Sequence, residues 1–384
     1  MLDISLYFQP IDEVGDKIGS IGASLEVHTV DNFPDIVSDS IALFYCPEFR
    51  NGEESVHGKS NDSFRNYFYD LSMPITWVKK IYDLGTLLPG ETIDDTYYAL
   101  SHIVSELIKR NILPIIIGGT QDLIVPIYKG FSGSEQMVNI TSIDAEVNLG
   151  SVEESLTSNS FLSHLLMAKP CNLFNYSVIG LQSPYVKQDD IDLFDKLYFD
   201  SLRLGEFNQD FKKAEPLIRY SDILNIDLLA LKKADYPCSF NKSTNGFYSE
   251  QICQIAKYAG ISDKLSLFSL LNMFPSQLTE CNQFVAEVIW YFLDGVFSRR
   301  GDFPIGSKKN YKKFIVQLQA AENELIFYKS NLSERWWMEV PYNPSSESKY
   351  VRQHLVPCNF EDYEMAMKNE LPDLWWKTYQ KIAH

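Results

Sequence analysis

The sequence lacks the features that mark membrane, secreted and nucleic-acid-binding proteins. The longest apolar stretch, residues 284–297, contains Glu287 and Asp294 and falls short of the roughly 18 apolar residues that span a bilayer. The first residues carry acids early and show no basic segment followed by an apolar leader. Only 34 Lys and Arg residues face 51 Asp and Glu residues, for a net charge of −17, which repels phosphate backbones. We therefore expect a cytoplasmic protein with no membrane insertion and no nucleic-acid partner.

Paired metal-binding cysteines and the common short catalytic motifs are also missing. The six cysteines are scattered without a CxxC pair, which favours reduced thiols over a zinc site or a disulfide framework. No GxSxG, HExxH or phosphate-binding loop pattern occurs. Serine hydrolase, zinc protease and nucleotide hydrolase chemistry therefore have no support in the sequence.

What the sequence does contain is a regular alternation of short apolar strands and amphipathic helices. Its 384 residues, 45% of them hydrophobic, are enough for a large core. Strands are predicted at 41–46, 113–117, 138–143, 177–180, 196–199, 223–227 and 265–271, and helices at 94–110, 207–218, 249–258 and 282–297. Alternation of this kind predicts an α/β fold of three α/β/α layers, with a parallel sheet covered by helices on both faces.

The pattern changes after about residue 300. Residues 311–318 and 324–329 alternate like a hairpin joined by residues 319–323, and a capped helix is predicted after Asn359 and a short one after Pro372. Four of the six tryptophans follow the predicted hairpin: Trp336, Trp337, Trp375 and Trp376. These tryptophans either cover an edge of the core or anchor a partner protein. We thus divide the chain into an N-terminal segment (1–34), an α/β domain (35–300) and a C-terminal hairpin and helical extension (301–384) packed on it.

Three predicted strands end in polar residues. They are residues 113–122 (LPIIIGGTQD), 142–148 (SIDAEVN) and 225–235 (NIDLLALKKAD). Because the carboxyl ends of parallel strands meet at one edge of a sheet, these polar residues are expected to form a common site.

The three segments resemble, in order and spacing, the metal-binding motifs of the ureohydrolases, the family of arginases, agmatinases and formimidoylglutamases. The resemblance covers roughly residues 35–300 and includes the opening strand and loop IALFYCPEFRNG. It implies an arginase-like fold and, for an active member, two Mn²⁺ ions and hydrolysis of linear amidines. The family motifs are GGxH, DAHxD and SxDxD. The matching ligand positions in this sequence are Gln121, Asp144, Glu146, Asn148, Asp227 and Leu229.

Only Asp144 and Asp227 retain the family's ligand residue, and no histidine falls on a ligand position. The stretch NGFYSE resembles a family segment in which the residue matching Glu250 contacts the substrate. The segments GFYSEQICQIAKYAG and RWWMEVP are most similar to the formimidoylglutamase-like branch.

Several roles are open for the two retained aspartates. They could cap backbone amides at the strand ends, or they could join Glu146, Gln121 and Asn148 in holding one hard cation such as Mg²⁺ or Ca²⁺. A third arrangement places the Lys232 ammonium beside Asp227 in place of a metal.

We therefore expect a catalytically inactive pseudoenzyme without a cofactor, serving as a protein-binding or scaffolding subunit of a larger complex. The alternative is a formimidoylglutamase- or arginase-like hydrolase of linear amidines with an altered Mn²⁺ site. A small-molecule sensor that keeps Glu250 for ligand contact lies between the two. The resemblance also implies a homo-oligomer, although the C-terminal extension differs from the family.

Overall fold

A computed structural model describes residues 3–11, 17–52, 63–133, 137–153, 155–169, 171–238, 240–241, 243–275, 278–304, 307–318, 324–341 and 354–383. The strands are β1 (Phe8–Gln9), β2 (Glu26–Val27), β3 (Ile41–Cys46), β4 (Ile81–Leu87), β5 (Leu113–Gly118), β6 (Val138–Ile143), β7 (Leu173–Leu181), β8 (Asp200–Arg203), β9 (Ile223–Asp227), β10 (Leu267–Leu271), β11 (Tyr311–Gln317), β12 (Glu324–Ser330), β13 (Trp336–Val340) and β14 (His354–Cys358). The helices are α1 (Phe64–Asp70), α2 (Ile93–Lys109), α3 (Ile124–Lys129), α4 (Phe161–Leu166), α5 (Gln188–Lys196), α6 (Leu204–Gln209), α7 (Glu215–Tyr220), α8 (Ser249–Ile261), α9 (Thr279–Val296), α10 (Phe360–Met367) and α11 (Asp373–Ala383).

The main sheet runs in the order β1-β4-β3-β5-β10-β9-β6-β7-β8, with β2 paired to β4. All its pairings are parallel except that of β1 with β4. Strands β5, β10, β9 and β6 are therefore consecutive neighbours, although they come from distant parts of the chain. Their carboxyl ends lie side by side at the middle of one edge of the sheet.

Two apolar cores cover the two faces of this sheet, as the continuous apolar strands predict. Along β3, Leu43 and Tyr45 point into the core shared with α8 and α9, whereas Phe44 and Cys46 point into the core shared with α2 and α3. This two-residue alternation places helices on both sides and gives the three α/β/α layers. The predicted fold class is confirmed.

Most predicted elements are present, but two differ. The predicted strand at residues 196–199 is wrong, because Lys196 ends α5 and the strand begins at Asp200. The predicted helix at residues 207–218 is interrupted, because Asp210 has an extended backbone and its side chain accepts from the backbone N–H of Lys212, which starts a new turn. Among the described residues, no helix combines the length and apolar character that crossing a membrane requires.

The C-terminal extension forms a separate antiparallel sheet in the order β11-β12-β13-β14, followed by α10 and α11. The predicted hairpin corresponds to β11 and β12, and its connection at residues 319–323 lies outside the described part of the chain. Asn359 and Asp362 form the capping box that starts α10. Three of the four late tryptophans are buried, and only Trp376 is exposed, to 48%. Trp336, Trp337 and Trp375 are thus buried. Of the four late tryptophans, only Trp376 is exposed enough to contact a partner protein.

The extension is fastened to the α/β domain at Arg219 of α7. The Arg219 guanidinium pairs with Glu215 at 2.9 Å and donates to the backbone oxygens of Trp336 (3.0 Å) and Cys358 (3.2 Å). It also lies over the Trp337 ring, 4.5 Å from the centroid. We call this group, Glu215, Arg219 and the two backbone oxygens, the Arg219 junction.

Candidate functional site

The site begins with a glycine turn at the end of β5. Gly118 and Gly119 have φ of +117° and +33°, a region that side chains disfavour. A Cβ on Gly118 would lie 2.7 Å from the Cys46 oxygen, and one on Gly119 would lie 2.9 Å from the Glu48 oxygen. The turn therefore requires both glycines, and it delivers Gln121 to the edge of the sheet at the start of the 3₁₀ turn Gln121–Leu123.

Gln121 joins the two retained aspartates. Its Nε2 donates to Asp144 Oδ2 at 2.9 Å and to Asp227 Oδ2 at 2.7 Å. A primary amide has two N–H groups, so each carboxylate receives one of them. All three side chains are buried. The amide nitrogen thus occupies the space between the two carboxylates.

Neutral donors complete the surroundings of Asp144. Its Oδ1 accepts the backbone N–H of Glu146 at 3.0 Å. Asn148 Nδ2 donates to Asp144 Oδ2 at 3.1 Å and to Gln121 Oε1 at 3.2 Å. Asn148 therefore fixes the orientation of the Gln121 amide as well as the carboxylate, since its donor selects the oxygen end of that amide.

Asp227 is held in the same way. Its Oδ1 accepts the backbone N–H of Leu229 at 2.8 Å and Asn272 Nδ2 at 2.8 Å. Asn272 directly follows β10, has a φ of +58°, and is anchored by its backbone N–H to the Gly119 oxygen. Gln121, Asp144, Asn148, Asp227 and Asn272 form one network, which we call the carboxyl-edge centre. Four neighbouring strands contribute to it.

Burial shifts the proton affinity of the two aspartates. It raises the pKa of Asp144 well above its usual range, and the nearby charge of Asp227 adds to this effect. Burial also raises the pKa of Asp227, to about 6, against the opposing effect of its hydrogen bonds to Asn272, Leu229 and Gln121. Both aspartates therefore bind a proton more readily than an exposed aspartate does.

A cavity of about 190 Å³ opens above the centre. The other side chains lining it include the exposed Glu146, the half-buried Leu229, and the rings of Phe240 and Phe274, whose centroids are 4.4 Å apart. Among the described lining residues there is no Lys or Arg. The cavity is therefore acidic at its rim and polar at its floor.

Two other predicted residues lie away from the cavity. Glu250 is exposed in the first turn of α8 and is not among the lining residues. Of the arrangements left open for Asp227, the one with the Lys232 ammonium beside it is not found, because that ammonium lies 3.5 Å from the centroid of the Tyr248 ring. The attraction of the ring face for a cation explains that position.

Sequence reasoning missed two contributors to the site. Asn272 donates a hydrogen bond to Asp227. The sequence could have indicated it as a strand-end residue, because it directly follows a predicted strand as Gln121 does. Asp122 is fully buried and accepts from Tyr97, Thr120 and Ser158. These bonds hold the loops around the centre in place.

The residues present do not fit a two-manganese centre. In the part of the chain that the structure describes, no group of three or more His, Cys, Asp or Glu side chains is arranged to hold a metal ion. Gln121 and Asn148 direct N–H groups at the carboxylates, and an N–H group cannot ligate a cation. Leu229 contributes an alkyl group at a third position.

The fold is that of known ureohydrolases. Formiminoglutamase of Trypanosoma cruzi, in a structure with Mn²⁺, superposes with a TM-score of 0.64 at 14% identity over 70% of this chain and 97% of that one. Formimidoylglutamase of Bacillus subtilis gives 0.62 at 14% identity over 70% and 90%. Agmatine ureohydrolase of Thermoplasma volcanium gives 0.58 at 15% identity over 73% and 94%.

The likeness is confined to structure. No family model and no curated protein sequence matches the chain. At such low identity the superpositions establish an arginase-like ureohydrolase fold, as the motif order predicts, and they leave the activity to the chemistry of the site.

Proposed function

We propose that this arginase-fold chain is a pseudoenzyme without hydrolytic activity that serves as a protein-binding subunit of a larger complex. The proposed lack of hydrolytic activity rests on the Gln121 amide, which donates to both Asp144 and Asp227. Metal-assisted amidine hydrolysis needs a bound water made acidic by a cation. In the carboxyl-edge centre, amide N–H groups lie between the two carboxylates, where a shared cation would have to bind.

The proposed protein-binding role is supported by exposed apolar side chains on the C-terminal helices. Trp376 is 48% exposed, and Phe360 and Met367 are 50% and 61% exposed. Phe360 and Met367 are seven residues apart on α10, so they share one face of that helix. Exposed tryptophans with apolar neighbours are typical anchors of protein interfaces.

The first experiment tests metal and turnover together. The protein is purified with added Mn²⁺, its metal content is measured by mass spectrometry, and N-formimidoyl-glutamate, arginine and agmatine are assayed. We expect neither stoichiometric manganese nor turnover. A fourfold variant that restores the family ligands (Gln121→His, Glu146→His, Asn148→Asp, Leu229→Asp) is the matched control, and we expect it to gain Mn²⁺.

Near-stoichiometric manganese with turnover in the natural chain would establish the competing function, hydrolysis of linear amidines at an altered metal site. One observation favours that alternative: the cavity above the centre stays open and keeps Glu146 at its rim. The metal measurement therefore decides between the two.

The second experiment tests partner binding. Affinity capture from native lysate should return a stable partner with the natural chain and lose it with Trp376→Ala. Tyr291→Ala, which truncates an exposed aromatic residue on α9, is the matched control and should retain the partner. Equal capture by both variants would remove Trp376 from the interface, and capture of nothing would refute the scaffolding role.

A further inference from the structure

A second cavity lies on the seam between the α/β domain and the C-terminal extension. Its volume is about 270 Å³, larger than the cavity above the carboxyl-edge centre. Small-molecule sites typically start at roughly 300 Å³, so an occupant would have to be small. We call it the seam cavity. It draws residues from α7 on one side and from β14, α10 and α11 on the other.

Part of the seam cavity is apolar. Its apolar lining includes Phe174, Pro216, Leu217, Pro357 and Leu374. These residues come from both sides of the seam, so an apolar group bound here would contact the domain and the extension at once. Such a ligand would strengthen their association.

Another part of the lining is charged, with as many cations as anions. The cations are Lys213, Lys377 and Lys381, and the anions are Asp200, Glu361 and Asp362. Asp200 is shared, lying 4.0 Å from the Lys377 ammonium and 3.7 Å from that of Lys381. Lys381 is also bonded to Asn175 Oδ1. Lys377 and Lys381 therefore share the single carboxylate of Asp200 as their ion-pair partner.

The acids of α10 have no cation of their own. Asp362 accepts the backbone N–H of Asn359 at 2.8 Å, but no described Lys or Arg forms an ion pair with Asp362 or Glu361. Lys213 has no described anionic partner either. Asn359 donates to the Lys212 oxygen, which brings the start of α10 next to Lys213. Lys213 and Glu361 are exposed and have no ion-pair partner among the described residues, so both are available to a charged ligand at the seam cavity.

We infer that the seam cavity binds a small zwitterion with an apolar body, of the α-amino acid class. Its carboxylate pairs with Lys213 and Lys377, its ammonium pairs with Glu361 and Asp362, and its apolar part lies on Leu217 and Leu374. A neutral ligand would satisfy none of these charges, and a ligand of one sign would satisfy only half of them. Charge-assisted hydrogen bonds in a partly buried cavity are strong enough to distinguish these cases.

Calorimetry with three probes tests the charge requirement. The probes are leucine, 4-methylpentanoate, which lacks the ammonium, and 3-methylbutylamine, which lacks the carboxylate. We expect leucine to bind at least about tenfold more tightly than either analogue, a difference of about 1.4 kcal/mol. We also expect leucine to slow hydrogen exchange in α11. No binding of leucine up to roughly 10 mM, or equal binding of an analogue, overturns the inference.

Substitutions of cavity-lining residues test whether leucine binds in the seam cavity. Lys377→Met and Glu361→Gln should each weaken leucine binding about tenfold, since each removes one charged partner. Lys368→Met, an exposed lysine of the same extension, and Glu146→Gln, at the rim of the other cavity, should bind leucine as the natural chain does. Unchanged binding in Lys377→Met and Glu361→Gln, or loss in Glu146→Gln, would overturn the assignment. If a variant unfolds by circular dichroism, the three-probe comparison on the natural chain still decides.

Discussion

The carboxyl-edge centre and the Arg219 junction are both buried polar clusters, but they compensate charge in different ways. At the junction a guanidinium that is 5% exposed meets a carboxylate and two backbone oxygens. At the centre two carboxylates meet the N–H groups of Gln121, Asn148 and Asn272. The junction pairs a cation with an anion, whereas no Lys or Arg among the described residues lines the cavity at the centre.

The two clusters thus lower the cost of buried charge by different means. Burying an unpaired charge in a low dielectric costs free energy, so buried carboxylates without a cationic partner need another form of stabilisation. The centre surrounds its carboxylates with amide donors, and burial raises the pKa of Asp144 and of Asp227, which favours their protonated forms. The junction instead pairs the Arg219 guanidinium directly with the Glu215 carboxylate.

The largest expected effect comes from breaking the junction. Arg219→Met removes the closest ion-pair partner of Glu215 and the guanidinium donor to two backbone oxygens. We expect a loss of about 3–5 kcal/mol in the free energy of unfolding, because one buried partner of an ion pair is removed. The measurement is chemical denaturation together with hydrogen exchange, which should rise first in β13 and β14.

The matched control for the junction is Lys257→Met. Lys257 pairs with Asp294 at 2.8 Å, but its side chain is 43% exposed. We expect a change within about 1 kcal/mol, as for surface ion pairs in general. Similar losses in both variants would show that burial at the junction has no special weight.

A change of pH should affect the C-terminal extension and the carboxyl-edge centre differently. His354 of β14 bonds to Tyr220 and faces the cations Lys264 and Lys381; burial first, then those charges, lowers its pKa from 6.5 to about 4. A lowered pKa gives stability that is present above pH 6.5 and lost as pH falls toward 4. We expect the extension to lose about 3 kcal/mol over that range.

The centre should respond in the opposite direction. The pKa of Asp227 is raised from 3.8 to about 6, so its contribution is fully present below 3.8 and is lost as pH rises through 6. Hydrogen exchange should show α11 less protected at pH 4.5 than at pH 7, whereas β9 and β10 should be more protected at pH 4.5. His354→Gln should abolish the response of α11. A parallel response in both regions would contradict the assignment.

The sequence predicted the strands that meet at the centre but not the network they form. Gln121, Asp144 and Asp227 could be placed together because parallel strands deliver their carboxyl ends to one edge. That β10 inserts between β5 and β9 depends on long-range pairing, so the sequence marks Asn272 as a strand-end residue but does not place it beside Asp227. The position of Lys232 was missed because a nearby ring, absent from the motif, attracts it.

The C-terminal extension shows the same limit. Alternation was enough to predict the hairpin, since strand periodicity is local. It could not tell which tryptophans are buried, because that depends on how the second sheet packs against α7 and its own helices. Trp336 and Trp337 are adjacent in sequence and point to opposite faces of β13, yet both are covered, one by Tyr363 and the other by Arg219.

The smallest of the expected effects comes from removing the amide of the centre. Gln121→Leu deprives Asp144 and Asp227 of a shared donor without adding charge, and we expect a loss of about 1–3 kcal/mol in the free energy of unfolding at pH 7. The loss should shrink toward pH 5, because protonated carboxyl groups no longer need that donor. Gln182→Leu is the control: its amide bonds only neutral groups of Asn245, so its smaller loss should not vary with pH. A pH-independent loss in Gln121→Leu would mean that the two aspartates do not hold the proton that distinguishes the centre from the junction.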